Sequence, residues 1–338
     1  MRIYVGVTDN QWFDFLRHLA SHSITQSPLL PTASVPELSL EPLDEVNFWQ
    51  PSPDSQFRAI RPGDLFLFKL HRSSRTAHRD LIAGGGVFAR YSILPISIAW
   101  DAFESKNGAA SFPQMRRQIA RYRRDQDNPF EDFKIGCIIL TQPFFFDESE
   151  WFPVPEWSQS IVRGKTYSLD SAAGRTIWKN LSLVWERKRF FGLDREARRI
   201  EEEHSRYGKE MTIRPRLGQG AFKVAVTEAY RRACAITKEH SLSALEAAHI
   251  KPYGESGPHE VFNGLLLRSD IHRLFDRGYI TVTPDYCIEV SRRLREEYEN
   301  GHCYYPFHGH RLHHLPLNPS DHPSKELLIW HNENIYRD

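Results

Sequence analysis

His249, Asn263, His272 and Asp276 bring a titratable imidazole, a two-way amide and an imidazole–carboxylate pair together in one stretch of the chain. A neutral imidazole with an ordinary pKa of about 6.5 can take a proton from water near neutral pH, whereas a lysine is already protonated there. In SDIHRLFD, His272 and Asp276 are four residues apart, so a helix would set both on one face, where they can reach one cation. Asp270 in the same segment is a further candidate ligand, ranked behind Asp276, and Glu246 lies on Ala248's side of a strand by alternation. Asn263 ends the loop YGESGPHEVFNG, where an asparagine can donate and accept across a bulging loop and tie backbone to backbone.

These residues need elements to hold them. SALEAAHIKPY reads as a strand ending in His249, and LLLRSDIHRLFD as a strand followed by a helix capped by Ser269 or Asp270 and stopped at Gly278. ITVTPDYCIEV supplies a further strand pair. Upstream, QGAFKVAVTEAYRRACAITKE predicts a helix with an apolar stripe at Phe222, Val226, Ala229 and Tyr230, and KELLIWHNENIY predicts a closing amphipathic helix packed back on this unit.

With AAHIKP, NGLLL and DIHRLFD in that order, the stretch resembles the HNH, or ββα-metal, nuclease family over roughly residues 220 to 290. The resemblance implies that His249 is the general base for water, that Asn263 pins the loop presenting it, and that His272 binds a divalent metal. It implies one ion per active site, Mg first with Mn, Co or Ni as alternatives, offsetting charge on a scissile phosphate. Many family members carry a ligand immediately before the base, where this chain has Ala248. Others hold a structural zinc with two CxxC pairs. Here Cys234 is followed by Thr237, and Arg268 and Ile271 take the other pair's positions, so no structural zinc is expected.

Residues 1–180 are a strand-rich unit, because MRIYVGV, DLFLFKL, LIAGGGVFA and KIGCIIL are short apolar runs parted by Pro and Gly turns. ISIAWDAFESKNG and FPQMRRQIARYRRD have helical spacing, which makes the fold class α+β. Residues 181–220 predict a charged helical connector, and 221–338 the nuclease-like unit. VNFWQPSP and FRAIRPGDLFLFKLHRSSRTAHRDLIAGGGVFARYSILP resemble modification-dependent restriction endonucleases that join a PUA-superfamily reader, SRA-like or EVE-like, to an HNH domain. That resemblance implies a β-barrel with flanking helices that flips 5-methyl- or 5-hydroxymethylcytosine into an aromatic pocket. Trp49 leads the pocket candidates, followed by Phe48 and Trp12. Lys69, His71, Arg72 and Arg75 are candidate phosphate contacts, as is the arginine series Arg116, Arg117, Arg121, Arg123 and Arg124. Gly84, Gly85 and Gly86 lack the spacing of a nucleotide cradle and read as a strand bulge or a close backbone approach to DNA.

With 26% charged residues and a net charge of +1, any DNA-binding surface must be local. The four cysteines are scattered, which points away from a disulfide framework and toward a reducing, cytoplasmic setting. No apolar run approaches the roughly 20 residues of a membrane span. The histidines of GHCYYPFHGHRLHHLPLNPSDHP are irregularly spaced and interrupted by proline, which predicts an exposed loop rather than a second metal site. The expected partner is double-stranded DNA carrying modified bases, with a homodimer left open and no nucleotide cofactor. Two other readings stay open: a catalytically inactive nucleic-acid reader, and a modification-indifferent HNH nicking or homing-type nuclease.

Overall fold

In the computed structural model, which describes residues 2–24, 43–53, 57–71, 80–123, 128, 131–190 and 217–338, the four apolar runs become the middle of a mixed sheet. The chain divides into two compact units, Met1–Arg216 and Leu217–Asp338. The first holds β1 (Arg2–Thr8), α1 (Asn10–Ile24), β2 (Glu45–Gln50), β3 (Leu65–Leu70), β4 (Leu81–Pro95), α2 (Ile96–Phe103), α3 (Phe112–Ala120), β5 (Lys134–Phe145), β6 (Phe152–Pro153), β7 (Gly164–Ser168) and α4 (Ala172–Phe190). Strand order is β2-β5-β4-β3-β1-β7, with β6 beside β4. β1 and β3 run parallel, while the other pairs are antiparallel.

The strands are apolar on both faces because both faces are covered. Ile3 and Val5 of β1 and Leu65 and Leu67 of β3 share a core with Ile177, Leu181, Val184 and Trp185 of α4. Alternation sends Phe66 and Phe68 to the opposite face. There Phe48 packs on both rings, and Trp12 and Phe13 of α1 meet Phe68 edge-on. The expected boundary at residue 180 falls inside α4, whose buried Leu181, Val184 and Trp185 continue the first unit's core. The remainder of the expected connector, 191–216, lies outside the described residues.

The glycine run of β4 lies against the backbones of neighbouring strands. A Cβ on Gly84 would sit 2.3 Å from the Phe144 carbonyl oxygen, and one on Gly85 would sit 2.6 Å from that of Phe66. The β4–β5 register shifts between Gly85 and Val87, so this is a bulged crossing of the protein's own strands.

The second unit holds α5 (Gln219–Ala229), β8 (Leu245–His249), β9 (Gly264–Arg268), α6 (Ser269–Asp276), β10 (Ile280–Val282), β11 (Ile288–Val290), α7 (Arg293–Tyr298) and α8 (Lys325–Asn334). Helix α5 is shorter than its sequence pattern, since Arg231 and Arg232 turn to φ 54° and 60°. Helix α6 begins at Ser269 without a side-chain cap. Ser269 Oγ instead donates to the Ala244 carbonyl. Phe222, Val226, Ala248, Leu265, Leu267, Ile271, Phe275 and Leu328 lie in one buried cluster that joins the β8–β9 hairpin to α5, α6 and α8. Among the described residues no helix is long and apolar enough to cross a membrane.

Candidate active site

His249 closes β8 opposite Gly264, the first residue of β9. Its ring stacks on Phe222 with centroids 3.9 Å apart and planes 14° apart, and His259 meets it edge-on at 5.1 Å. Nε2 of His249 is buried and has no hydrogen-bond partner in the structure. Burial pushes the imidazole pKa down to about 4, helped by the neighbouring His259 and His272 and opposed by Asp276. The ring is therefore neutral at physiological pH, with a nitrogen lone pair free to accept a proton.

Asn263 is fully buried and spans the intervening loop. Its Oδ1 accepts from the Lys251 N–H at 2.9 Å, and its Nδ2 donates to the carbonyls of Lys251 and Pro258, both at 2.9 Å. Its own carbonyl accepts from the Ile250 N–H. One amide thus fixes the backbone just after His249 and the backbone just before His259, so it sets the spacing of both rings.

His272, on α6, sits between two carboxylates. Nδ1 lies 2.6 Å from Glu246 Oε2 and Nε2 lies 3.2 Å from Asp276 Oδ2. Burial opposes its protonation, but hydrogen bonds and charge from Asp276 and Glu246 outweigh that, and its pKa is raised. Asp270 is not part of this group. Arg268 grips it through Nε and Nη2 at 2.6 and 2.7 Å, Tyr304 donates to it at 3.0 Å, and these bonds hold its carboxyl below the usual range. Two residues from His272 on a helix, it faces elsewhere.

Residues 234–283 match the model of the HNH endonuclease family. No curated protein matches the chain. The HNH match supports a nuclease with DNA as its partner, and a divalent metal is the general requirement of such enzymes.

The donor set of the HNH-matching segment suits such an ion. His272 Nε2 and Asp276 Oδ2 are 3.2 Å apart, close to the ~3 Å between adjacent donors of an octahedral ion at about 2.1 Å. An imidazole and a carboxylate are donors that Mg, Mn, Co or Ni accept. Glu246 occupies the orienting position, holding the other ring nitrogen as carboxylates commonly do for metal-bound histidines. Among the described residues no three His, Cys, Asp or Glu side chains are already gathered for a metal. Ala248, in the position where many relatives place a ligand, is fully buried in the core. The pair could supply two donors to such an ion, with the remaining donors coming from elsewhere.

Two residues here escaped the sequence reading in whole or part. His259 carried no signal, because its place beside His249 depends on how the loop folds. Glu246 has no local partner in the sequence, since its contact with His272 joins a strand to a helix 26 residues on.

In the first unit, Trp12, Phe48 and Trp49 line one pocket of about 260 Å³, together with Asp9, Gln50, His71, Tyr122 and Arg163. The two indoles are mostly core, 2% and 7% exposed, and form the pocket's floor. Trp12 Nε1 donates to the Asn47 carbonyl and Trp49 Nε1 to that of Asn107, while Asn47 Nδ2 donates to Asn107 Oδ1 at 2.8 Å. This buried amide pair, unforeseen from sequence, fixes both rings. Tyr122 is 45% exposed and lines the pocket beside Trp49, with ring centroids 6.0 Å apart, planes tilted by 45° and its hydroxyl donating to Asp9 Oδ2 at 2.6 Å.

The candidate phosphate contacts fare differently. Lys69 is a correction: it is 4% exposed, paired with Asp80 at 2.8 Å and set over the Trp157 ring. Its charge is neutralised inside the fold and cannot meet a phosphate. His71 is exposed at the pocket rim, whereas Arg72 and Arg75 lie outside the described residues. Arg116 and Arg123 clasp loop carbonyls and lie over Phe133, and Arg121 donates to Gln11. Arg117 is exposed and Arg124 lies outside the described residues.

Proposed function

We propose that this protein is a metal-dependent DNA endonuclease that reads a modified cytosine with its first unit and hydrolyses phosphodiesters with its second. The observation that carries the nuclease half is the buried, unpartnered Nε2 of His249 at the end of β8, in a unit whose next helix, α6, carries the His272–Asp276 pair. His249, kept neutral by burial, takes the proton from the attacking water. Phe222 holds the ring plane, and Asn263 holds the loop that follows it. His272 and Asp276 would hold the divalent ion, and Glu246 fixes the orientation of the His272 ring. When bound, that ion supplies positive charge against the scissile phosphate and the leaving oxygen.

The reading half is supported by the convergence of Trp12, Phe48 and Trp49 on one pocket with polar groups at its rim. We assign the mixed sheet to the PUA superfamily and the pocket to a flipped base. A base leaving the stack loses a few kcal/mol, which aromatic walls and edge hydrogen bonds can restore.

The deciding experiment is a digest of fully methylated, hydroxymethylated and unmodified plasmid with Mg, Mn, Co or Ni. Cleavage restricted to modified DNA, and abolished by His249→Ala with binding retained, is the expected result. Cleavage by His249→Ala at the wild-type rate would overturn the base assignment, and equal cutting of all three plasmids would overturn the reader. A second reading, an inert DNA-binding module, draws on Ala248 and on the two-membered donor set. Absence of cutting with every metal would favour it.

A further inference from the structure

The histidine-rich segment after α7 belongs to no part of that mechanism, yet the fold gives it neighbours of one sign. The N–H groups of His313 and His314 both donate to the Ala235 carbonyl, which sets these two residues against the turn at 231–240. Arg231 Nη2 comes 3.2 Å from His314 Nδ1, and the rings of His240 and His314 are 6.4 Å apart. Burial and the charges of Lys238 and His310 disfavour protonation of His313. Burial, Arg231, His240, His313 and Lys238 do the same for His314.

One carboxylate lies in that turn, and the cations and imidazoles outnumber it. Glu239, the carboxylate of that turn, accepts with Oε1 from the N–H groups of His240 and Ser241. Within the patch a guanidinium donates to an imidazole, which requires that imidazole to be unprotonated at Nδ1. Nor do the rings form a metal site, since no such group of three exists among the described residues. Cations and bases gathered on a surface in excess of the carboxylate among them raise the local potential, and a polyanion relieves it.

The position of the patch selects the polyanion. The Ala235 N–H donates to the Leu266 carbonyl of β9 at 2.7 Å, so the patch is bonded to the hairpin whose other strand ends in His249. β8 is five residues long, about 13 Å from end to end, a length that a few base pairs of duplex span at about 3.4 Å each.

We propose that Arg231, Lys238, His240, His310, His313 and His314 form a sequence-independent contact for the phosphate backbone of duplex DNA, outside the cleavage site. This rests on the nuclease reading above. Arg231 and Lys238 carry the fixed charge, and the imidazoles take up protons as phosphates approach, so binding tightens as pH falls.

The test is binding of a short unmodified duplex to the full chain in EDTA, followed by fluorescence anisotropy across a range of salt. Arg231 and Lys238 have φ of 54° and 63°, where asparagine is well tolerated. The double variant Arg231→Asn/Lys238→Asn should therefore fold and should reduce the slope of log affinity against log salt by about 2. His313→Gln/His314→Gln should remove most of the tightening between about pH 8 and about pH 6. Unchanged slope and unchanged pH dependence in both variants overturn the proposal, as does loss of affinity for an RNA duplex with DNA affinity intact. The metal digest of wild type reports the nuclease reading separately. A chain that never cuts but loses the salt slope keeps the patch and fails the nuclease, and a chain that cuts with an unaltered slope does the reverse.

Discussion

Glu246 and Asp276 approach the two opposite nitrogens of one ring, His272, at 2.6 and 3.2 Å. Only one of those nitrogens can face a metal, and the closer contact, on Nδ1, is the one that sets the ring's orientation. Removing such an orienting carboxylate commonly costs 10- to 100-fold in metal affinity. Glu246→Ala should weaken Mn binding, followed by calorimetric titration, by about that factor, while Glu246→Gln, which can still accept from Nδ1, should lose less. Equal affinities in all three proteins would remove Glu246 from the site.

Asn263 makes three backbone hydrogen bonds with one side chain. Alanine would leave the Lys251 N–H and two carbonyls without those partners in a part-buried loop, at a cost of about 2 kcal/mol or more. Asn263→Asp keeps an acceptor for the Lys251 N–H but loses both donations. Urea unfolding should rank wild type above both variants, and cleavage should fall in both even under conditions where the chain stays folded. Full activity in a folded Asn263→Ala protein would show that loop placement is not needed for catalysis.

What the sequence made legible was local. The β8–β9–α6 succession follows from alternating and helical apolar spacing, and it put His249, Asn263 and His272 in order because each lies at an element's end or on a helix face. Misreadings came where the partner is distant or the environment inverts a residue's habit. Lys69 looked like a surface cation, but Asp80, Trp157 and a sheet covered on both faces make it an interior one. Asp270 shares a helix with His272, and the nearby Arg268 claims it. The Asn47–Asn107 pair joins residues far apart in sequence, which no local pattern encodes.

His331 of α8 is 2% exposed and stacks on Phe275 at 3.8 Å. Its Nε2 lies 3.2 Å from the Phe275 carbonyl and its Nδ1 lies 2.8 Å from Thr281 Oγ1. With the Asn332 amide nitrogen turned to donate to Thr281 Oγ1, the threonine hydroxyl is free to donate to Nδ1, leaving the histidine neutral with its proton on Nε2. Burial accordingly lowers its pKa to about 4, against an opposing hydrogen bond to the Phe275 carbonyl and the charge of Asp276. The unfolded chain, with an ordinary histidine, binds the proton more readily. Stability from this residue is complete above about pH 6.5 and declines as pH falls toward about 4. Thermal melts should show that decline, and His331→Gln should flatten it while lowering the melting temperature at neutral pH. An identical pH profile in the variant would mean that folding leaves the titration of this residue unshifted.

Tyr122 offers the cleanest test of the base pocket. Trp12 and Trp49 are poor probes, because each indole N–H bonds the buried asparagine network and truncation would unsettle the core before it altered recognition. Tyr122 is half-exposed and tethered by one hydroxyl bond to Asp9, so its loss should cost little stability. A planar base entering beside Trp49 would gain stacking from Tyr122 worth about 1–3 kcal/mol, or roughly 5- to 150-fold in affinity. Tyr122→Ala should therefore lower the preference for modified over unmodified duplex by a factor in that range, with unmodified binding unchanged. Tyr122→Phe, which keeps the ring and drops the tether, should retain most of the preference. If Tyr122→Ala discriminates as well as wild type, the modified base is read somewhere other than this pocket.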